Sequence, residues 1–486
     1  MLFTSLVFGI FLPIVFAAYW MICYPKRGCE VSVVRLWGQN LLVVAASYVF
    51  YGWWSWKFLL LIFFTSVWAY VSGVLLDRIE DASWRRLIVV LALVINLGIL
   101  GIFKYYNFFA DNVIAFLNVI GFNAHPTSLQ IVLPVGISFY TFQALSYVID
   151  VYRKDIVATK DLVAFLAFVS FFPQLVAGPI ERATNLLPQF LKPRQFDYPL
   201  AVEGCRQMLW GFFKKMIVAD TCAIGANAML GNEQASTISL WVGVACFAFQ
   251  IYGDFSGYSD IAIGCSKLFG IRLMRNFSKP YFSRDIAEFW RRWHISLTTW
   301  FRDYLYIPLG GSRCGKWKKI RNTFVIFLVS GFWHGANWTF IAWGAFHAIS
   351  FLPLLLRGKN RKYVTNCVAE GKLFPTFHEL RSMGVTFVVA VIGWTFFRAP
   401  DISTAGSWLW KMLTFTDLRV RQCGFGLLGR VALPLAIFLA VEWFNRNRDV
   451  PMLPKGKWLR WGVYCAIISL ISWFSPEPQT FIYFNF

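Results

Sequence analysis

Negative charge is the scarcest property of this sequence. Asp and Glu number 25 in 486 residues, against 46 Lys and Arg, and only 15% of residues are charged. A soluble chain carries about 25%, so a water-surrounded globule is excluded. Cysteine pairing is missing as well. The ten cysteines (23, 29, 205, 222, 246, 265, 314, 367, 423 and 465) are scattered without a CxxC, which indicates neither a disulfide framework nor a metal site. No GxxxxGK[ST] phosphate loop, GxGxxG turn, HExxH pair or GxSxG elbow occurs, which removes the commonest signatures of nucleotide, metalloprotease and serine-hydrolase chemistry. No internal repeat is evident, which disfavours repeat-built transporter folds. The first apolar run has neither a preceding basic stretch nor a following small-residue cleavage site, and reads as a retained span.

What is present is apolar: 58% hydrophobic and 19% aromatic residues. "LFTSLVFGIFLPIVFAAYWMICY", "KFLLLIFFTSVWAYVSGVLL", "LIVVLALVINLGILGIF" and "RVALPLAIFLAVEWF" approach the roughly 20 residues that cross a bilayer. The expected class is an all-α polytopic membrane protein. Charge placement suggests its topology. From Lys267 to Arg321 there are 13 Lys and Arg against Asp285, Glu288 and Asp303, which places this segment in the cytoplasm. Lys26, Arg27 and Arg35 place the loop after the first span inside, as do Arg446, Arg448, Lys455, Lys457 and Arg460 near the other end. One crossing, about Trp458 to Phe474, then carries the tail outward. Both termini are expected outside, with about 10–12 crossings and several re-entrant or interfacial helices.

Ionisable residues at membrane depth are costly and point to function. His334 lies inside "FVIFLVSGFWHGANWTFIAWGAFH". Read as one helix, this segment lets Asn337 orient the imidazole; the alternative is a histidine merely hydrogen-bonded between helices. His294 lies in "EFWRRWHISLTTWFRDYLYIPLGG", where Trp290, His294, Leu297 and Phe301 share one stripe of an amphipathic interfacial helix. Asp254 and Asp260 sit in "QIYGDFSGYSDIAIG", whose glycines suggest a broken or closely packed helix. Catalytic support and simple satisfaction of backbone groups are equally open for these two. His125 and His378 read as loop residues and His347 as structural. Tyr483, in the terminal "FIYFNF", is either an interfacial aromatic anchor or a nucleophile. Pro476 and Pro478 argue that its tail is extended.

A buried imidazole near neutral pKa can take a hydroxyl proton at working pH, and a basic inner face suits a phosphate-bearing acyl donor. "FWRRWHISLTTWFRDYLYIPLGG", "GFWHGANWTFIAWG", "DFSGYSDIAIG", "LPVGISFYTFQALSYVIDVYR" and "LVAGPIER" together resemble the membrane-bound O-acyltransferase family. The likeness is to its bacterial branch, which O-acetylates alginate, cellulose and peptidoglycan or D-alanylates teichoic acids. It runs over essentially the whole chain.

The resemblance implies a ring of membrane helices around a central funnel, with residues 1–474 as one transmembrane domain carrying the cytoplasmic-face segment 267–321. Residues 475–486 form an outward-facing tail. It implies that His334 is catalytic, with Trp333 beside it, and that His294 approaches from the cytoplasmic side. Acetyl-CoA is the implied cosubstrate, held by Arg291, Arg292, Arg302 and Arg313, with no metal. The expected location is the bacterial inner membrane, and the implied partner is a periplasmic SGNH/GDSL-type acetyltransferase or esterase-like protein. Gln174 stands where an alginate-type member carries histidine, which weakens alginate as the polymer. In the teichoic-acid branch a small separate peptide ends in a similar F-x-Y-F motif whose tyrosine carries the acyl group; here that motif resembles a fused version, with Tyr483 as carrier. A saccharide transporter or flippase is the rival class, and a lipid or protein the rival acceptor.

Overall fold

The computed structural model of the chain describes residues 1–22, 33–125, 129, 131–231, 235–364, 366–419, 425–451, 454, 456–474 and 481–482. The regular secondary structure among the described residues is helical, with no strand. Among the described residues, five helices are long and apolar enough to cross a membrane by length and composition: Trp56–Arg78, Ala82–Val119, Thr237–Leu268, Trp338–Leu356 and Phe377–Arg398. Helices are the expected answer to hydrocarbon, because every backbone N–H and C=O must be satisfied within the segment. The chain divides into two compact units, Met1–Cys205 with Ala262–Met274, and Arg206–Ile261 with Arg275–Phe486.

In the first unit the helix Ile137–Arg153 is buried almost all round, as a helix without a polar face must be. Leu59–Arg78 and Ala82–Leu100 flank it. The second of these starts at Asp81, whose Oδ1 accepts the N–H groups of Ser83 and Trp84 at 3.0 and 2.9 Å. Such a cap is worth about 1 kcal/mol. Gln174, the departure noted above, is buried and donates to Gln143 Oε1 and the Phe168 carbonyl at 3.1 and 3.0 Å.

The second unit holds both histidine motifs, and both depart from the single helices expected of them. "FVIFLVSGFWHGANWTFIAWGAFH" is a hairpin of two helices, Lys316–His334 and Trp338–Leu356, broken at Gly335. The two backbones touch. A Cβ on Gly331 would lie 2.2 Å from the Phe340 carbonyl oxygen, and one on Gly344 would lie 2.3 Å from that of Phe327. Only glycine permits such contact. "EFWRRWHISLTTWF" is likewise two short helices, Ile286–Arg292 and Ile295–Phe301. His294 joins them in a left-handed conformation (φ 43°, ψ 56°), which costs a non-glycine residue about 1 kcal/mol.

The Asp254 segment is packed, not broken: Thr237–Leu268 runs unbroken for 32 residues. Gly257 lets it press on the neighbouring chain, where an added Cβ would meet the Gly211 carbonyl oxygen at 2.8 Å. Beside it the helix Tyr198–Phe212 widens into a π-type turn over Phe213–Ala219. Wide turns of this kind concentrate at functional places. Here one buries two consecutive lysines, Lys214 and Lys215.

Candidate active site

His334 is the last residue of its helix and is 4% exposed. Its ring meets Trp343 edge-on with centroids 5.1 Å apart, Phe397 at 5.2 Å and its neighbour Trp333 at 5.0 Å. The break after His334 is what lets Trp343 fold back onto it. Asn337 has a different task from the one expected. It caps the following helix, its Oδ1 accepting the Thr339 N–H at 3.0 Å, while its amide donates to the Pro400 carbonyl at 2.9 Å. It is not on the helix of His334, and its polar atoms are engaged elsewhere.

His294 is buried against the same aromatic wall. Its ring lies 5.9 Å from Trp333 and 4.6 Å from Phe255, so Trp333 contacts both imidazoles. His294 Nδ1 lies 3.0 Å from Asn276 Oδ1. The Asn276 amide nitrogen donates to Ser259 Oγ at 3.1 Å, and its Oδ1 also accepts from the Ser296 hydroxyl at 2.9 Å. The oxygen is therefore the acceptor toward the ring, which assigns the proton to Nδ1 and the lone pair to Nε2. Nε2 makes no hydrogen bond among the described residues. Burial pushes the His294 pKa down to about 3, so the ring stays neutral and Nε2 keeps its lone pair. The left-handed backbone turns this ring inward. Regular helix through residue 294 would carry it elsewhere.

The two acids lie in one buried ionic array built on the lysine pair. Lys214 bridges Asp260 at 2.9 Å and Glu442 at 3.2 Å. Tyr252 donates to Glu442 at 2.6 Å, and Gln207 donates to Asp260 at 2.9 Å. Lys215 bridges Asp220 and Asp254, both at 2.8 Å. Removing one partner from such an array costs about 3–5 kcal/mol, because the other charge is left buried. Asp254 has one further contact: its Oδ2 accepts the backbone N–H of Ile482 at 2.8 Å. Phe481 and Ile482 are buried. The Phe481 ring lies 4.4 Å from Tyr258 and 6.1 Å from Phe255, the same Phe255 that touches His294. Tyr483 itself lies outside the described residues.

The four arginines divide. Arg291 donates to the carbonyls of Asn360 and Tyr363 at 2.7 and 3.1 Å. Arg292 donates to the Ser278 carbonyl and pairs with Glu288 at 2.8 Å. Both tie loops to the RRWH segment. Arg302 and Arg313 are exposed, and Arg302 pairs with Asp303. His347 packs edge-on between Trp290 and Trp343 at 4.9 and 5.0 Å, while His125 and His378 are exposed.

Sequence reasoning missed Asn276 and the lysine pair. The pair had a signal, two adjacent lysines in the apolar run "GFFKKMIVA". Asn276 had none, since it lies 18 residues from its histidine in an irregular segment.

Comparison with known proteins shows the family. Residues 153–360, which include both histidines, match the model of the membrane-bound O-acyltransferase family. A probable alginate O-acetylase of Pseudomonas syringae pv. tomato is 40% identical over 459 residues, spanning 92% of this chain and 83% of that protein. A peptidoglycan O-acetyltransferase of Helicobacter pylori is 34% identical over 534 residues, spanning 99% and 97%. A teichoic acid D-alanyltransferase of Streptococcus thermophilus is 34% identical over 235 residues, spanning 45% and 56%. With its two buried imidazoles and this extent of similarity, the chain belongs to the membrane-bound O-acyltransferase family.

Proposed function

We propose that this acyltransferase takes acetyl from cytoplasmic acetyl-CoA and passes it across the inner membrane for O-acetylation of an exported or cell-wall polysaccharide. The first acceptor is the phenol of Tyr483. Its oxygen attacks the thioester carbonyl, the C–S bond breaks, and the phenol proton passes through His334 to the departing thiolate. A phenol has a pKa of about 10, below that of an alkyl alcohol, so its ester keeps enough transfer potential for a second exchange. In that exchange a serine hydroxyl of a periplasmic SGNH/GDSL-type partner takes the acetyl and the phenol recovers its proton. His294, with its tautomer set by Asn276, serves the donor side. Residues 1–474 act as one catalytic membrane domain with both termini on the outer side, and 475–486 act as its carrier.

The observation that carries this reading is the position of the chain end. Phe481 and His294 are in ring contact with the same Phe255, so the residues just before Tyr483 lie one ring from a histidine of the site. A tail serving only as an interfacial anchor has no need of that burial. The names of the relatives support polysaccharide as the final acceptor, since alginate and peptidoglycan are both polysaccharides. The test is a His334→Ala variant, checked for expression and membrane insertion, assayed for acetyl on isolated wall and secreted polymer. Loss of polymer acetylation is expected. Wild-type acetylation would refute the role of His334.

A further inference from the structure

The end of the chain is held by a charge, and through the backbone. Ile482 donates its N–H to Asp254 Oδ2 at 2.8 Å. The other oxygen of Asp254 is bound by Lys215 at 2.8 Å, and Lys215 is bound in turn by Asp220. A carboxylate fixed by a buried lysine on one oxygen is an oriented acceptor on the other. Bonds to charged groups are among the strongest a main-chain N–H can make. The same helix supplies more of the cradle. Phe255 and Tyr258, one and four residues after Asp254, hold the ring of Phe481, and the Ile482 side chain joins the apolar core that includes Trp210, Phe213 and Tyr252. One helix therefore holds the Phe481 ring and the Ile482 N–H, and the neighbouring segment that carries Trp210 and Phe213 helps enclose the Ile482 side chain.

The geometry points to Asp254 as the positioning residue of the carrier: it fixes the register of the tail by gripping the peptide N–H immediately before Tyr483, and Lys215 and Asp220 hold Asp254 in the geometry that makes this possible. The inference rests on the carrier reading given above, and it adds the device that presents the phenol. Tyr483 directly follows the residue whose N–H is gripped, so the grip limits how far its side chain can be from the site. The ion pair with Lys215 explains why the acceptor is aspartate: an amide at 254 would carry no charge for the buried lysine to pair with.

The test removes only the hydrogen. In the full-length protein, Ile482 is replaced by its α-hydroxy acid through nonsense suppression, which converts the peptide link before it to an ester and leaves every side chain unchanged. Asp254→Ala and the ester are compared singly and together. Labelled acetyl on Tyr483 is followed at saturating acetyl-CoA, and KM for acetyl-CoA is measured. Each single change is expected to slow acetylation of Tyr483 about tenfold or more with KM for acetyl-CoA unchanged, and the combination to be no slower than Asp254→Ala alone. A second readout needs no acyl transfer: carboxypeptidase should trim the tail about tenfold faster in both variants, in wild-type and Tyr483→Phe backgrounds alike. An ester variant that is trimmed and acetylated at wild-type rates overturns the inference, even where Asp254→Ala is inactive or misfolded. Faster trimming together with normal polymer acetylation by Tyr483→Phe would keep the grip and reject the carrier reading, so the two failures are distinguishable.

Discussion

His294 Nδ1 and Asn276 Oδ1 lie 3.0 Å apart, and that contact fixes which ring nitrogen of His294 bears the lone pair. Asn276→Ala removes the acceptor and leaves a buried N–H unpaired, at a cost of about 1–3 kcal/mol. The turnover of acetyl transfer should fall by about 10- to 100-fold, with KM for acetyl-CoA changed far less. Asn276→Asp, which restores an acceptor of the same shape, should recover part of the rate. Steady-state kinetics on the purified protein decide this. A wild-type turnover for Asn276→Ala would show that the tautomer is set in another way.

The arginines make a second prediction, because the structure separates them. Arg302→Gln and Arg313→Gln change exposed guanidiniums and should raise KM for acetyl-CoA, with an effect that shrinks as salt screens these charges. Arg291→Gln removes two loop contacts and should lower the melting temperature instead. Measuring donor KM at several ionic strengths beside a thermal melt separates the roles. Equal donor KM in Arg302→Gln, Arg313→Gln and the wild type would leave the basic segment as a topological signal only.

Asn337 yields a prediction of the opposite kind. As the cap of Trp338–Leu356 it should contribute about 1 kcal/mol to stability and little to chemistry. Asn337→Ala should therefore melt earlier, while Asn337→Ser should keep most of the stability. Both should retain acyl transfer within a few fold per folded molecule. A loss as deep as that of His334→Ala, in a folded variant, would return Asn337 to the catalytic group.

The membrane class and the burial of His294 and His334 were legible in the sequence for physical reasons. Apolar runs near the bilayer length admit few other readings, and an imidazole within them is costly enough to stand out. What was hidden is local backbone geometry. His294 looked helical because its neighbours Trp290, Leu297 and Phe301 keep helical spacing on both sides, yet one left-handed residue redirects the chain. Asn337 looked like a partner of His334 because three residues separate them, but the break at Gly335 puts them in different environments. Asp254 was recognisable as a charge in apolar surroundings. Its contact with Ile482, 228 residues away, depends on tertiary structure that no spacing encodes.

The central claim is that acetyl passes through the end of this chain. The most direct measurement is the intact mass of the C-terminal peptide after the purified protein is given acetyl-CoA without a periplasmic partner. One acetyl group on Tyr483 is predicted, abolished by His334→Ala and removed when a partner bearing the acceptor serine is added. An unmodified Tyr483, together with a Tyr483→Phe variant that acetylates polymer at the normal rate, would contradict the account.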